Sequence, residues 1–142
     1  MVKAFVDANV LVSVLNKEYP LFTYSARVLS LVERNGFELF TSSLCLAIGF
    51  YFASKKCGEV EAKRKIQLLS SHLSIAQIDE NAVRNALNNA KINDIEDGFQ
   101  YYAAVEAGCN CLITENLSDY HFAEIPVYSS EVFLKTHVFN SK

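Results

Sequence analysis

Three carboxylates fall within four residues at Asp94, Glu96 and Asp97, where an asparagine-rich turn from Asn88 to Asn93 passes into an alanine-rich stretch running to about Glu106. In a helix that starts at or just before Asp94, Asp94 and Asp97 stand three apart on one face and Glu96 points elsewhere. Two acids presented together are half of a metal site. The same residues also suit a plain helix start. Asn93 as N-cap with Glu96 three positions on is a capping box, and acids in a first turn favour the helix dipole. Spacing alone leaves both readings open, so the placement of the remaining acids carries the argument.

Asp7 closes the apolar run 2–6, and Asp119 lies five residues after the run 111–114. Both runs are short and apolar enough for buried strands, as are 37–41, 73–78 and 125–128. Helical patterns lie between them. A short one over 10–15 is closed by Pro20, and one over 25–34 is stopped by Asn35-Gly36. A third over 44–54 is capped by Ser42-Ser43 and apolar enough to be buried on most sides, and a fourth spans 59–69. Asp79 caps a helix to about Asn88, the acidic helix ends at Gly108, and a last one covers 131–137. Strand and helix alternate throughout. The expected fold is α/β, with a central parallel sheet of about four to five strands and helices on both faces, in one domain over 1–142 with a tail from about 138.

Ligands in such folds bind at the carboxyl ends of the strands. Asp7 and Asp119 stand at that edge, and the Asp94/Asp97 helix begins there if its far end feeds the fourth strand. Four acids then face one crevice. Carboxylates clustered without histidine or thiolate partners suit hard cations, so Mg²⁺ or Mn²⁺ is expected rather than zinc. A cation held this way activates water and stabilises a leaving oxygen, which is the chemistry of phosphodiester hydrolysis.

The rest of the sequence narrows the class. The net charge of −3 offers no general attraction for nucleic acid, but residues 1–71 carry nine basic against six acidic side chains and residues 72–142 four against ten. Lys55, Lys56, Lys63, Arg64 and Lys65 concentrate the basic excess. They are either a solvated helix face or a phosphate-backbone contact beside the acids. Cys45, Cys57, Cys109 and Cys111 lack metal-finger spacing and fit buried thiols in a reducing, cytoplasmic setting. No secretion signal and no membrane span are expected. His72, His121 and His137 do not pair with a nucleophile, and Tyr101 and Tyr102 are expected in the core rather than as base-stacking rings.

The segments Phe5-Val6-Asp7-Ala8-Asn9-Val10-Leu11, Asp94-Ile95-Glu96-Asp97-Gly98-Phe99-Gln100-Tyr101-Tyr102-Ala103-Ala104 and Leu112-Ile113-Thr114-Glu115-Asn116-Leu117-Ser118-Asp119-Tyr120 resemble the PIN domain, in particular the VapC-like toxins of bacterial type II toxin–antitoxin pairs. That resemblance implies a Mg²⁺- or Mn²⁺-dependent endoribonuclease with RNA as substrate, often a homodimer, held inactive by a cognate antitoxin. It implies Asp7, Asp97 and Asp119 as metal-coordinating acids, Asp94 as an additional one, and Asn9, Thr114 and Asn116 as polar residues that order the site. One position departs from the pattern. The family's glutamate in the helix after the second strand is absent from Ser43-Leu44-Cys45-Leu46-Ala47-Ile48-Gly49-Phe50, with Ala47 or Ile48 best matched to it, and Asp94 is the candidate substitute. Two other readings stand beside the nuclease: a non-catalytic PIN-like binding domain, and a phosphoryl-transfer protein with Asp7 as nucleophile. The apolar surplus of the 44–53 helix implies a homodimer surface.

Overall fold

A parallel sheet needs both faces covered, and the chain achieves this by sending its first two crossovers to one side and the third to the other. The computed structural model describes residues 1–139. Strand β1 (Val2–Val6) leads into helices α1 (Ala8–Leu15) and α2 (Leu21–Ser30), then β2 (Phe37–Ser42). Helices α3 (Ser43–Cys57) and α4 (Glu59–Ser70) precede β3 (Ser74–Ala76), and α5 (Glu80–Asn88) and α6 (Ile95–Glu106) precede β4 (Cys111–Ile113). A 3-10 turn (Leu117–Tyr120), β5 (Val127–Tyr128), α7 (Ser130–Leu134) and a π-helical turn (Lys135–Phe139) follow. Of the tail expected from about 138, Val138 and Phe139 belong to that turn, and residues 140–142 lie outside the described residues.

The five strands run parallel in the order β3-β2-β1-β4-β5. Crossovers from β1 to β2 to β3 move one way across the sheet, and the return from β3 to β4 moves the other way. Right-handed connections therefore put α1 to α4 on one face and α5 with α6 on the other. Packing agrees, since α1 meets α2 and α3 while α6 meets α5, β2 and β3. Strand β1 is central, and its Ala4, Phe5 and Val6 are fully buried with Leu112 and Ile113 of β4 beside them. The expected PIN-like α/β architecture is the one observed.

Several boundaries differ from the sequence reading for local reasons. Pro20 does not close α1, which ends at Asn16; it stands as the first cap of α2, where its missing N–H costs nothing. Asp94 rather than Asn93 is the N-cap of α6, with Oδ1 accepting the Glu96 N–H at 3.0 Å, so the Asn93–Glu96 capping box does not form. Helix α3 is not buried on most sides. Cys45, Gly49 and Ala53 form its inward stripe, while Tyr51 and Phe52 are 52% and 45% exposed. Tyr101 and Tyr102 do pack inside. Tyr101 is buried and its hydroxyl accepts the Glu124 N–H, and the Tyr102 hydroxyl meets Asn89 Nδ2. No helix among the described residues is long and apolar enough to cross a membrane.

Candidate active site

Asp7 is where β1 stops being a strand. Its N–H donates to the Ile113 carbonyl at 3.0 Å, closing the sheet against β4, and its Oδ1 accepts the Ala8 N–H at 2.8 Å to start α1. A strand end and a helix start thus pin one carboxylate from both sides. Its Oδ2 accepts from the Thr114 hydroxyl at 2.9 Å, and that hydroxyl in turn accepts from Asn9 Nδ2 and from the Asn116 N–H, both at 3.1 Å. Asn9 Oδ1 accepts the Glu115 N–H at 3.1 Å. The three supporting polar residues therefore form one connected set that stitches the turn after β1 to the turn after β4. Buried polar groups satisfied in this way hold a single geometry.

Asp97 enters from the other side. It lies in the first turn of α6, and the helix is drawn close to α5 because residue 98 is glycine: a Cβ there would stand 2.9 Å from the Ala86 methyl carbon. Gln100, one turn on, is buried and accepts from the Ser42 hydroxyl, which fixes α6 to the start of α3. Asp119 arrives on the 3-10 turn after β4. Together Asp7, Asn9, Asp94, Asp97, Asn116 and Asp119 line a cleft of about 440 Å³ between the two helical layers, and a side chamber of about 120 Å³ shares Asp94, Asp97 and Asp119. All four expected acids meet here. Thr114 stands beneath, fully buried. The basic group does not enter the cleft. Arg64 is paired with Glu61, Lys65 Nζ approaches the Leu15 carbonyl, Lys63 is exposed on α4, and Lys55 and Lys56 sit at the end of α3.

The electrostatics record how many negative charges share this space. Burial first, then the charges of Asp94, Asp7, Asp119 and Glu96, raise the Asp97 carboxyl to about 7. Burial also raises Asp7, against the lowering effect of the Ala8 N–H and the Thr114 and Tyr120 hydroxyls, and Asp119 raises it further. The Cys45 thiol, 3.9 Å from Asp7 Oδ1, is pushed up to about 12 by burial and by that same carboxylate, so it stands as a thiol and not as a soft metal ligand. The Tyr120 hydroxyl is buried beside Asp7 without a well-formed hydrogen bond, and burial together with Asp7 and Asp97 drives it far above its ordinary range.

Among the described residues no three His, Cys, Asp or Glu side chains converge on one point as a preformed cage. The donor set nonetheless fits a hard divalent cation. It is all oxygen, and Mg²⁺ keeps several waters while taking only one or two carboxylates directly. Of the two positions that the resemblance matches to the family's glutamate, Ile48 lines the cleft and Ala47 is exposed. The sequence reading missed Glu18, Gln100, Tyr120 and Phe52, and Glu96, expected to point elsewhere, lines the cleft as well, because the first turn of α6 opens onto it. Gln100 was within reach, standing three residues from Asp97 on the same helical face. Glu18 comes from the turn between α1 and α2, where no periodicity marks it.

A parallel α/β sheet with an acid-lined cleft at its carboxyl edge is the arrangement expected of a PIN domain. Residues 3–118 match the PIN domain family, and the chain belongs to it. Over 138 residues it is 28% identical to Ribonuclease VapC1 of Aquifex aeolicus (strain VF5), covering 92% of each chain. Its fold is similar to that in DNA-bound VapBC from Salmonella typhimurium, with TM-score 0.69, 17% identity, and coverage of 92% of this chain and 99% of that one. It is also similar to Mycobacterium tuberculosis VapC20, a sarcin-ricin loop cleaving toxin, with TM-score 0.64, 15% identity, and coverage of 87% and 98%.

Proposed function

We propose that this PIN domain is a Mg²⁺- or Mn²⁺-dependent endoribonuclease, the toxin of a VapC-like toxin–antitoxin pair. The observation that carries the reading is the meeting of Asp7, Asp94, Asp97 and Asp119 in one cleft, where burial and then the neighbouring acids raise Asp97 to about 7. Similarity to a protein named as a ribonuclease supports the substrate class, and the VapBC structures among its structural relatives support an antitoxin as partner.

Asp7, Asp97 and Asp119 would hold the cation, with Asp94 offering the Oδ2 that its capping bond leaves free. When bound, the cation supplies an activated water and charge stabilisation at the scissile phosphate. The chain's own part is positional. Thr114 and Asn9 keep the Asp7 oxygens aimed, and Gln100 and Gly98 set the depth of α6 and so the place at which Asp97 would meet the cation. A binding domain without catalysis is the second reading, favoured by Ile48 in place of an acid. Nucleophilic attack by Asp7 fits poorly, because the side chain is only 8% exposed and both oxygens already accept hydrogen bonds.

Purified protein freed of any partner is expected to cleave single-stranded RNA with added Mg²⁺ or Mn²⁺ and to stop in chelator, with Asp97→Asn inactive but folded by circular dichroism. Unchanged cleavage in excess chelator would overturn the proposal. RNA binding without cleavage would favour the second reading.

A further inference from the structure

Helix α3 turns an aromatic strip to solvent at the rim of the acid cleft. Phe52 lines the cleft beside Val12 and Ile48, yet it is 45% exposed, and Tyr51 next to it is 52% exposed. The two rings meet nearly edge to face, with centroids 5.2 Å apart and planes at 82°. Rings of this size are ordinarily buried or matched to a partner. Their setting is firm. Asn16 Nδ2 lies 3.5 Å from the Phe52 carbonyl, and Lys56 Nζ donates to the Asn16 carbonyl at 2.7 Å, tying this turn of α3 to the end of α1. The Lys55 ammonium stands 4.2 Å over the Tyr51 ring. The cleft thus bears carboxylates, an apolar wall and the Phe52 ring, and Tyr51 with the Lys55 ammonium adjoins that ring from outside.

We propose that Phe52 is the stacking platform for one base of single-stranded RNA, with Lys55, held over the Tyr51 ring beside it, meeting the backbone phosphate of the next nucleotide. The inference rests on the ribonuclease reading and deepens it by naming residues that hold the substrate. A nucleotide joins a flat apolar face to an anionic phosphate, and this rim offers the complement of each. A second copy of the chain fits worse. A two-fold contact through the strip apposes the same patch on both partners and brings one acid-lined cleft toward the other. Stacking on an aromatic ring also tolerates any base, so the strip would grip RNA without selecting its sequence.

The chain contains no tryptophan, so Phe52→Trp installs a single fluorescent reporter at the platform. In an Asp97→Asn background with Mg²⁺, titration with a short single-stranded oligoribonucleotide is expected to quench that fluorescence along the binding curve measured by anisotropy. Phe52→Leu, which keeps an apolar side chain and removes the ring face, is expected to weaken binding at least about five-fold. Unquenched fluorescence together with unchanged affinity in Phe52→Leu overturns the platform. A dimer by light scattering that Phe52→Leu dissociates overturns it too, and assigns the strip to contact between copies. Metal-dependent cleavage by the wild-type protein separates the two failures: if cleavage stands and these readouts fail, only the platform falls, and if RNA is neither cleaved nor bound, both fall.

Discussion

Removing the Asp97 charge from the cleft is expected to stabilise the metal-free protein. Asp97 is ordinarily a carboxyl of pKa 3.8, and in the folded chain burial and four neighbouring acids raise it to about 7. The folded state therefore binds more protons than the unfolded one between those values. Stability conferred at low pH is lost as pH rises from about 4 to about 7, and stays lost above it. Three pH units at about 1.4 kcal/mol each set a ceiling of about 4 kcal/mol. The side chain is only partly buried, and solvent screening reduces that to about 1–2 kcal/mol. Asp97→Asn keeps the shape and removes the charge. In chelator at pH 8 the variant should melt about 3–8 °C above the wild type, and the gap should shrink at pH 5. Saturating Mn²⁺ should reverse the order, since the wild type gains from binding and the variant gains less. Differential scanning calorimetry at both pH values decides the matter. A variant melting at or below the wild type in chelator at pH 8, or gaining equally at pH 5, would refute the charge-crowding argument.

Other substitutions probe how the site is built. Ile48→Glu places a carboxylate in the cleft and should tighten Mn²⁺ binding about ten-fold by isothermal titration calorimetry, while Ala47→Glu, on the exposed face, should leave it unchanged; equal effects would mean that the cleft wall is misassigned. Asp94→Ala should lower stability by about 1 kcal/mol through loss of the Glu96 cap and also weaken Mn²⁺ binding. If denaturant melts show the first effect and calorimetry lacks the second, Asp94 is a cap alone. Gly98→Ala forces a methyl to within 2.9 Å of the Ala86 methyl, and overpacking of about 1–3 kcal/mol should outweigh the helical preference of alanine. A Gly98→Ala protein as stable as the wild type in urea would show that α5 yields freely.

The acids were legible because strand ends are legible. Asp7 and Asp119 follow short apolar runs bounded by turn residues, and a parallel α/β fold brings all such ends to one edge. Helix starts were harder to read, since Asn93 and Asp94 are equally good caps by type and only the backbone chose between them. The exposure of α3 was not legible at all. The apolar run around Phe50, Tyr51 and Phe52 looks like core from composition, and what faces water depends on where α1 and α4 lie across it. For the same reason the lysines and Arg64 looked like one patch although they spread over two helices and separate partners.

The hydrogen bond from Thr114 to Asp7 spans 107 positions of sequence. In a chain emerging from the ribosome, Asp7 is made 107 positions before the hydroxyl that aims it, and the strand that completes the centre of the sheet and the acid at position 119 arrive equally late after it. Until β4 slots in beside β1, Asp7 has no partner strand on that side and the cleft has no far wall. Truncated or unfinished products are therefore without the site. The order of translation itself keeps the constellation unassembled until β4 and the turn that carries Asp119 have been made.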